Sequence, residues 1–258
     1  MWKNFLVNLK DIFRLGFQLA KAEFKLRNEG SYLGIFWYLL NPILMFASLF
    51  FIFSDRLGNH IEKYPLFLLL GIIMFNVFQS TTLEATSSII KGYQHLIKSI
   101  NFPRESLVLS IVLKNIFSHS FELLLFCVAL IYFHVSLLGI FYYVLIFIPF
   151  AIFIFGFSLA ISVLTVFFVD MDNIWIFAVR IIWLGTPIFY AIENQTRLFV
   201  FNLFNPLYYF ITMARDLVIY NRIPETYIIF GALGFSLFFL IFGLFVFNKL
   251  KLKMAELI

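Results

Sequence analysis

The chain has 258 residues, of which 62% are hydrophobic and only 13% carry a charged side chain, with a mean hydropathy of +0.96. Soluble domains carry about 25% charged residues, so this composition excludes a soluble enzyme and predicts an all-α integral membrane protein. The net charge of +5 does not indicate nucleic acid binding, because the basic residues flank apolar runs and do not cover a soluble surface.

Residues 1–32 are predicted to form an amphipathic arm. Trp2, Phe5, Leu6, Leu9, Phe13, Phe17, Ala20 and Phe24 recur at three- and four-residue steps, with basic residues between them. This pattern is typical of a helix lying in the membrane surface, with its basic face towards anionic lipid headgroups. The same pattern also fits a helix packed on a soluble partner. The arm lacks the features of a cleavable signal peptide.

Residues 33–253 are predicted to form one transmembrane domain. Six uncharged or nearly uncharged runs are long enough to cross a bilayer as helices: Leu33–Phe53, Leu66–Leu83, Leu107–Phe133, Phe141–Phe168, Ile174–Ile192 and Tyr227–Phe247. An even number of spans puts both termini on one side. That side carries twelve Lys and Arg residues and the opposite side five, which predicts cytoplasmic termini.

One further apolar segment, Leu198–Ala214, is short and is interrupted by Asn202, Asn205 and Pro206. A lipid-exposed span with these residues would leave backbone groups without hydrogen-bond partners. The segment is therefore predicted to be re-entrant, dipping in from the outer face.

A polar stripe lies on the third predicted span: Asn115, Ser118, His119 and Glu122, with Lys114 at its edge. Ionisable groups inside a bilayer are costly, so the stripe must face protein or water. It fits a pathway lining or proton relay, and it also fits polar side chains that join helices. Glu84, the nearest acid by depth, is a hypothetical partner of Lys114 or of Arg180; snorkelling of the cations to the interface is the alternative.

Asp170 and Asp172, at the turn between the fourth and fifth spans, fit helix capping better than a metal or diphosphate site. The four histidines show no metal-ligand spacing, and the sequence has no G-x-x-x-x-G-K-[ST] phosphate loop. We therefore expect no catalytic residues, and no metal or cofactor bound by this chain.

Four stretches in order carry a family resemblance: Arg27–Pro42, Ile97–Glu105, Phe167–Asn173 followed by Pro187–Tyr190, and Asn205–Leu207 with Arg215. In the first stretch the motif residues, at the start of the first membrane span, are Arg27, Ser31, Gly34, Trp37 and Pro42, and in the last they include Asn205 and Pro206. Together the stretches resemble the ABC-2 type permeases, above all those that export polysaccharides such as O-antigen and teichoic acid.

This resemblance implies a homodimer in the bacterial cytoplasmic membrane, docked on two copies of a separate ATPase chain that binds the ATP. It further implies export of a lipid-linked glycan through a central channel. Sugars stack on aromatic rings, and the aromatic residues expected to face the channel are Trp37, Tyr38, Trp175, Trp183 and Tyr190.

The segment from Thr86 to Glu105 is the expected site of coupling to the ATPase. Its candidate contact residues are Lys91, His95, Leu96, Ile97, Lys98, Phe102, Pro103 and Arg104. A short amphipathic helix there could lay its apolar side chains in a groove of the ATPase while its cations meet acidic residues. An ordinary basic loop held inside by its charge is the alternative reading.

Three other functions compete with glycan export. An ABC-2 exporter of a small molecule or drug has the same overall features. A membrane-embedded glycan-lipid transferase would need clustered acids, bases or metal ligands, and only Asp170 and Asp172 come close. A passive anchor would not carry polar stripes in its spans. Neighbouring reading frames for an ATPase and sugar transferases would favour glycan export.

Overall fold

The computed structural model describes residues 2–28, 32–91, 102–168, 170–192 and 196–257. The described residues form nine α-helices and no β-strand, which confirms the all-α prediction. In chain order these are α1 (Trp2–Asn28), α2 (Trp37–Leu57), α3 (Tyr64–Lys91), α4 (Glu105–Tyr132), α5 (Leu138–Phe167), α6 (Met171–Gly185), α7 (Thr196–Leu203), α8 (Pro206–Ala214) and α9 (Thr226–Leu257).

Five helical segments are long and apolar enough to cross a membrane: Gly34–Leu57, Tyr64–Ser87, Glu105–Tyr132, Leu138–Phe167 and Thr226–Lys251. The fifth predicted span, Ile174–Ile192, is shorter than expected, since its helix α6 has 15 residues and ends at Gly185. At 1.5 Å per residue α6 is only about 22 Å long. The helix stops because Thr186 precedes Pro187 and is extended, the conformation that a following proline favours.

Helix α1 packs along α4. Ala20 is fully buried, and the rings of Phe17 and Phe24 contact Phe117 edge to face, with centroids 5.8 and 6.2 Å apart. Phe13 remains 59% exposed on the outward side of the helix. The amphipathic arm therefore has an intramolecular partner in addition to an apolar surface that fits lipid.

Helices α5 and α9 cross with their backbones in contact. A Cβ atom added at Gly243 would overlap the backbone of Gly156, so only glycine allows this approach. Nearby, the Ser236 hydroxyl on α9 donates a 2.7 Å hydrogen bond to the Pro149 carbonyl on α5. Small residues and a side-chain hydrogen bond are the usual means of holding membrane helices together.

The predicted re-entrant segment folds as two short helices, α7 and α8, with a break between Leu203 and Pro206. The Asn205 side chain caps α8 by accepting from Leu207 N at 3.1 Å. Asn202 donates to the Gly185 carbonyl at the end of α6, at 3.1 Å. The asparagines that interrupt the apolar run thus supply partners for backbone groups that the break leaves open. The position of this pair in the bilayer stays a prediction.

The capping role predicted for Asp170 is wrong in its detail. Asp170 is at the N-cap position, immediately before α6, but its side chain makes no capping hydrogen bond. Asp172 lies in the first turn of α6, where the helix dipole favours a negative charge. The described residues contain no group of three or more His, Cys, Asp and Glu side chains that could hold a metal ion.

The bundle has two distinct ends. We call the end that carries α1, the start of α4 and the end of α9 the inner end, since the charge distribution predicts cytoplasmic termini. The outer end carries the start of α3, the turn after α6, and helices α7 and α8.

Candidate functional site

A polar cavity of about 330 Å³ opens where α1 ends and α2 begins, against α3 and α4. Its lining residues are Arg27, Gly34, Trp37, Tyr38, Asn41, Asn76, Val77, Ser80, Asn115, Ser118, His119 and Glu122. Its volume is within the range of small-molecule sites. The cavity brings together two features that are far apart in sequence, the start of the first span and the polar stripe on the third.

The start of α2 forms one wall of this cavity. Gly34 has a φ of 44°, a left-handed conformation that glycine adopts without strain and that turns the chain into α2. The ring of Tyr38 then stacks on Phe24 of α1 and Phe121 of α4, each with centroids 5.9 Å apart. The Arg27 guanidinium lies 5.3 Å from the centroid of the same ring. These observations give structural roles to two members of the motif, Arg27 and Gly34; Ser31 lies outside the described residues.

The Tyr38 hydroxyl oxygen is buried and has no hydrogen-bond partner among the described residues. Pro42, one turn further along α2, lacks an N–H group and cannot donate to the Tyr38 carbonyl. Tyr38 therefore brings unused hydrogen-bonding capacity to the cavity wall, which a polar ligand or water can satisfy.

A buried lysine behind the cavity joins three helices. Lys114 of α4 lies 2.8 Å from Glu23 Oε2 of α1 and also pairs with Glu84 of α3. Glu84 accepts a second hydrogen bond from Asn115 Nδ2 at 2.9 Å. The hypothesis that Glu84 pairs with Lys114 is confirmed, whereas Arg180 is exposed on α6. A cation 5% exposed is tolerated here because two carboxylates neutralise it.

A second polar network joins α4 to α3 and α5. His119 Nδ1 lies 2.8 Å from Glu122 Oε2, and His119 Nε2 lies 2.7 Å from the Tyr143 hydroxyl. The other Glu122 oxygen accepts a hydrogen bond from Asn76 of α3. The network thus joins side chains of three helices through one imidazole and one carboxylate.

The polar stripe of the third span joins helices, which is one of its two predicted roles; the pathway or proton-relay role stays a prediction. Its side chains hold helices together, as the hydrogen bonds to Asn76 and Tyr143 show. The same stripe faces a cavity through Asn115, Ser118 and His119.

The charges around the cavity favour binding over chemistry. Three carboxylates (Glu23, Glu84 and Glu122) surround it with two cations (Arg27 and Lys114). The carboxylates of Glu84 and Glu122 accept hydrogen bonds from neighbouring side chains. At the mouth, Asn41 and Trp37 are exposed and offer amide and indole groups. Such a wall suits a ligand rich in hydroxyl or amide groups.

The structure separates the aromatic residues expected in the channel. Trp37, which is 50% exposed, and Tyr38 line the cavity. The ring of Trp183 packs against Phe189. The Tyr190 hydroxyl donates to the Gly185 carbonyl at 2.8 Å. Both Trp183 and Tyr190 lie near the outer end. Trp175 is 7% exposed and packs on Phe78 and Phe157 within the subunit core, so it presents almost no surface to a substrate.

Only part of the predicted ATPase-coupling segment lies in the described chain. His95, Leu96, Ile97 and Lys98 are outside it, and of Lys91 only its place at the end of α3 is described. Phe102 packs near Leu107 and Phe247, and Pro103 precedes α4. The Arg104 guanidinium donates to the Lys251 carbonyl. The start of α4 is thus fastened to the end of α9.

Arg215, at the outer end, is a residue whose role the sequence did not reveal. It is 4% exposed and donates to the carbonyls of Pro187 at 2.6 Å, Ile188 at 2.8 Å and Phe67 at 3.0 Å. No carboxylate of the described chain forms an ion pair with it, since neighbouring Asp216 pairs with Arg222 instead. Burial lowers the pKa of the Arg215 guanidinium, yet arginine starts so high that the group stays charged at neutral pH.

Comparison with known proteins gives a consistent family likeness. Residues 15–219 match the family model described as ABC-2 type transporter. A Klebsiella pneumoniae protein named O-antigen export system permease protein RfbA is 30% identical over 255 residues, 97% of each chain. A second K. pneumoniae protein of that name is 30% identical over 259 residues, again 97% of each chain. One from Myxococcus xanthus is 24% identical over 216 residues, 80% of this chain and 81% of its own.

Proposed function

Because the chain belongs to the ABC-2 type transporter family, we propose that it is the permease subunit of a polysaccharide exporter. Its substrate is a lipid-linked glycan of the O-antigen, capsule or teichoic-acid class, which it moves across the bacterial cytoplasmic membrane. The observation that carries this proposal is the likeness, over 97% of both chains, to relatives named for O-antigen export. Two chains that align over nearly their whole length share their architecture, so a common class of substrate is the simplest inference.

The energy for export comes from a separate chain. The family implies an ABC ATPase partner, and this sequence has no phosphate loop of its own. In the proposed assembly, two permease copies sit on two ATPase copies, ATP is bound by the ATPase, and this chain carries no catalytic residue. Both termini face the cytoplasm, in line with the excess of Lys and Arg on that side.

The polar cavity fits this function as a glycan contact at the inner end. Its amides, serines and carboxylates offer both donors and acceptors to sugar hydroxyls. The half-exposed ring of Trp37 offers a stacking surface at the mouth. A hydrophobic drug would leave these polar groups unpaired, so the cavity does not favour the small-molecule alternative.

Deleting the gene in the source bacterium and restoring it on a plasmid tests the function. We expect the deletion strain to lose polysaccharide from its surface and to accumulate lipid-linked glycan inside, with both defects reversed by the plasmid copy. Electrophoresis of extracted glycan from intact cells and from cytoplasmic membranes measures the two pools. Unchanged surface polysaccharide together with altered sensitivity to small toxic compounds would instead establish drug export.

The coupling segment provides a test of the ATPase partnership. Leu96→Asp with Ile97→Asp places two charges where an apolar contact with the ATPase is proposed. We expect the double variant to insert and fold normally, to lose the ATPase on co-purification and to stop exporting. Leu137→Asp, at a side chain that is 49% exposed on the outer end, is the matched control. If the double variant still co-purified with the ATPase and exported at the normal rate, the coupling assignment would be wrong.

A further inference from the structure

A second polar cavity, of about 470 Å³, opens at the outer end of the subunit. It lies between the turn after α6, helix α8 and the start of α9. Four tyrosines line it, namely Tyr190, Tyr208, Tyr220 and Tyr227. Of the 38 phenylalanines in the chain, two line it. The aromatic residues that carry a polar group are thus concentrated in this cavity.

Three of the four tyrosine hydroxyls donate to groups of the protein, and one hydroxyl at the mouth keeps its proton available. Tyr190 donates to the Gly185 carbonyl at 2.8 Å and Tyr220 donates to the Glu62 carbonyl at 3.1 Å. The hydroxyls of Tyr208 and Tyr227 lie 3.2 Å apart and bond to each other. One of this pair keeps its proton for a ligand, and Tyr227, which is 40% exposed, presents its ring to the opening.

The positive and negative charges of the side chains that line this cavity are equal in number. Arg222 holds Asp216 Oδ1 through Nε at 2.7 Å and through a terminal nitrogen at 2.6 Å. The donors of Arg215 are taken by backbone carbonyls, as described above. Glu225 is the remaining charged side chain of the lining. Two cations and two carboxylates give no excess charge, so the walls select a neutral polar ligand over an anion.

Hydrogen-bonding capacity remains on these groups. Arg222 uses two of its five N–H donors for Asp216, and its side chain is 66% exposed. The second carboxylate oxygen of Asp216 takes no part in the contact with Arg222. Glu225 accepts no side-chain hydrogen bond from the described part of the chain. Donors, acceptors and an aromatic face therefore converge on one opening.

We propose that this outer cavity binds one or two pyranose units of the emerging polysaccharide. A pyranose has a C–H face that stacks on an aromatic ring and a rim of hydroxyls that both donate and accept, which matches the ring of Tyr227 and the side chains of Arg222 and Glu225. The volume is within the range of ligand sites. The proposal rests on the proposed function, since it takes the sugar class of ligand from the exported substrate.

A neighbouring cavity has an apolar lining and provides a contrast within the same molecule. It has a volume of about 200 Å³ and is lined mainly by phenylalanines, with Asn205 as its only polar side chain. Acyl chains fit such a lining, and sugar hydroxyls would be left without partners in it. The contrast assigns the sugar to the tyrosine-lined cavity.

The test is a binding measurement on the full chain in lipid nanodiscs. Methyl glycosides of the component sugars of the source bacterium's surface polysaccharide are titrated, and saturation-transfer NMR measures binding. We expect Tyr227→Ala to weaken binding by at least about tenfold, the effect of losing roughly 1.4 kcal/mol of aromatic stacking. Tyr227→Phe keeps the ring and should lose much less. Glu225→Gln should weaken binding by a few-fold.

Tyr132→Ala is the matched control, because Tyr132 is an outer tyrosine, 76% exposed at the end of α4, that does not line the cavity. Its binding should equal that of the unmodified chain, and thermal unfolding should be the same for every variant. The proposal is overturned if no component sugar binds the unmodified chain, if Tyr132→Ala loses as much as Tyr227→Ala, or if inorganic phosphate binds at this cavity in place of the sugars.

The two proposals fail separately. If the deletion strain loses surface polysaccharide but the purified chain binds no component sugar, export stands and the outer sugar site is wrong. If deletion leaves the polysaccharide unchanged, the export function is wrong, whatever the binding result shows.

Discussion

Two buried cations at opposite ends of the bundle are stabilised in different ways. Lys114, at the inner end, is paired with the carboxylates of Glu23 and Glu84. Arg215, at the outer end, binds backbone carbonyls and lies with its guanidinium carbon 3.3 Å from the centroid of the Phe67 ring. The first arrangement depends on side chains from two other helices, and the second on main-chain groups.

This difference predicts different mobilities for the two ends. Side-chain carboxylates follow rotamer changes and can exchange a lysine for water when α1 or α3 shifts. Carbonyls at fixed positions on α3 and in the turn after α6 hold the planar guanidinium in one orientation. The inner end is therefore the one suited to a change of conformation, and the outer anchor is the fixed reference.

The largest effect is expected from removing the outer anchor. Arg215→Gln leaves at least two of the carbonyls at Phe67, Pro187 and Ile188 without a donor, and each buried unpaired group is costly. We expect a loss of about 3–5 kcal/mol of stability and a fall in Tm on the order of 10 °C. Thermal unfolding of detergent-solubilised protein measures this.

Arg197→Gln is the matched control, since Arg197 is an exposed arginine on α7 at the same end of the bundle. Its Tm should stay close to that of the unmodified chain. An Arg215→Gln protein as heat-stable as the control would show that the carbonyl cluster does not anchor the outer end.

A smaller effect is expected at the inner end. Lys114→Met removes the lysine that Glu23 and Glu84 share and leaves the two carboxylates close together, at side-chain exposures of 21% and 23%. Because water reaches both acids, we expect a loss of about 2–3 kcal/mol, below the usual cost for a fully buried pair. The same thermal unfolding assay applies.

Adding Glu84→Gln to Lys114→Met should recover part of the loss, because it removes the repulsion between the two acids. A double variant that is less stable than Lys114→Met alone would mean that Glu84 stabilises the fold through contacts other than the lysine.

The smallest change in stability is expected from Glu23→Gln, since Lys114 keeps its second partner. A loss of about 1 kcal/mol should be confined to the contact between α1 and α4. Hydrogen exchange followed by mass spectrometry should show faster exchange in residues 10–28 and no change in α3.

Asp11→Asn is the control on the same helix, because the ion pair that Asp11 makes in the described part of the chain is with the exposed Arg14, at 3.7 Å. Its exchange should match that of the unmodified chain. If Glu23→Gln also leaves exchange in α1 unchanged, the ion pair does not hold α1 in place.

The ion pair of Lys114 and Glu84 at the inner end was easier to predict from the sequence than the role of Arg215 at the outer end. Depth along the apolar runs was enough to match Glu84 with Lys114, because intramembrane charges need partners. The second partner, Glu23, was missed since α1 was assigned to the membrane surface. Arg215 is named only as part of a motif, because binding by backbone carbonyls leaves no periodic pattern in a sequence that would reveal its role.

The positions of the long helices can be predicted from hydrophobicity. The points at which the backbone ends a helix are harder to predict. The apolar runs locate the long helices to within a few residues. The fifth span was placed too long because hydropathy continues past Gly185, although the Thr186–Pro187 pair was a readable stop signal. Tyr143, the partner of His119, lies in an apolar run that gives no sign of which tyrosine will be buried.

The contact of α5 with α9 also sets an order of events during synthesis. Helix α9 is made after every other described helix, so α5 enters the membrane with the groove at Gly156 still open. Only mobile acyl chains fill that groove until Gly243 arrives, and they cannot match the fit of a second helix. A chain whose translation stops before α9 therefore exposes an unfilled helix surface in the bilayer.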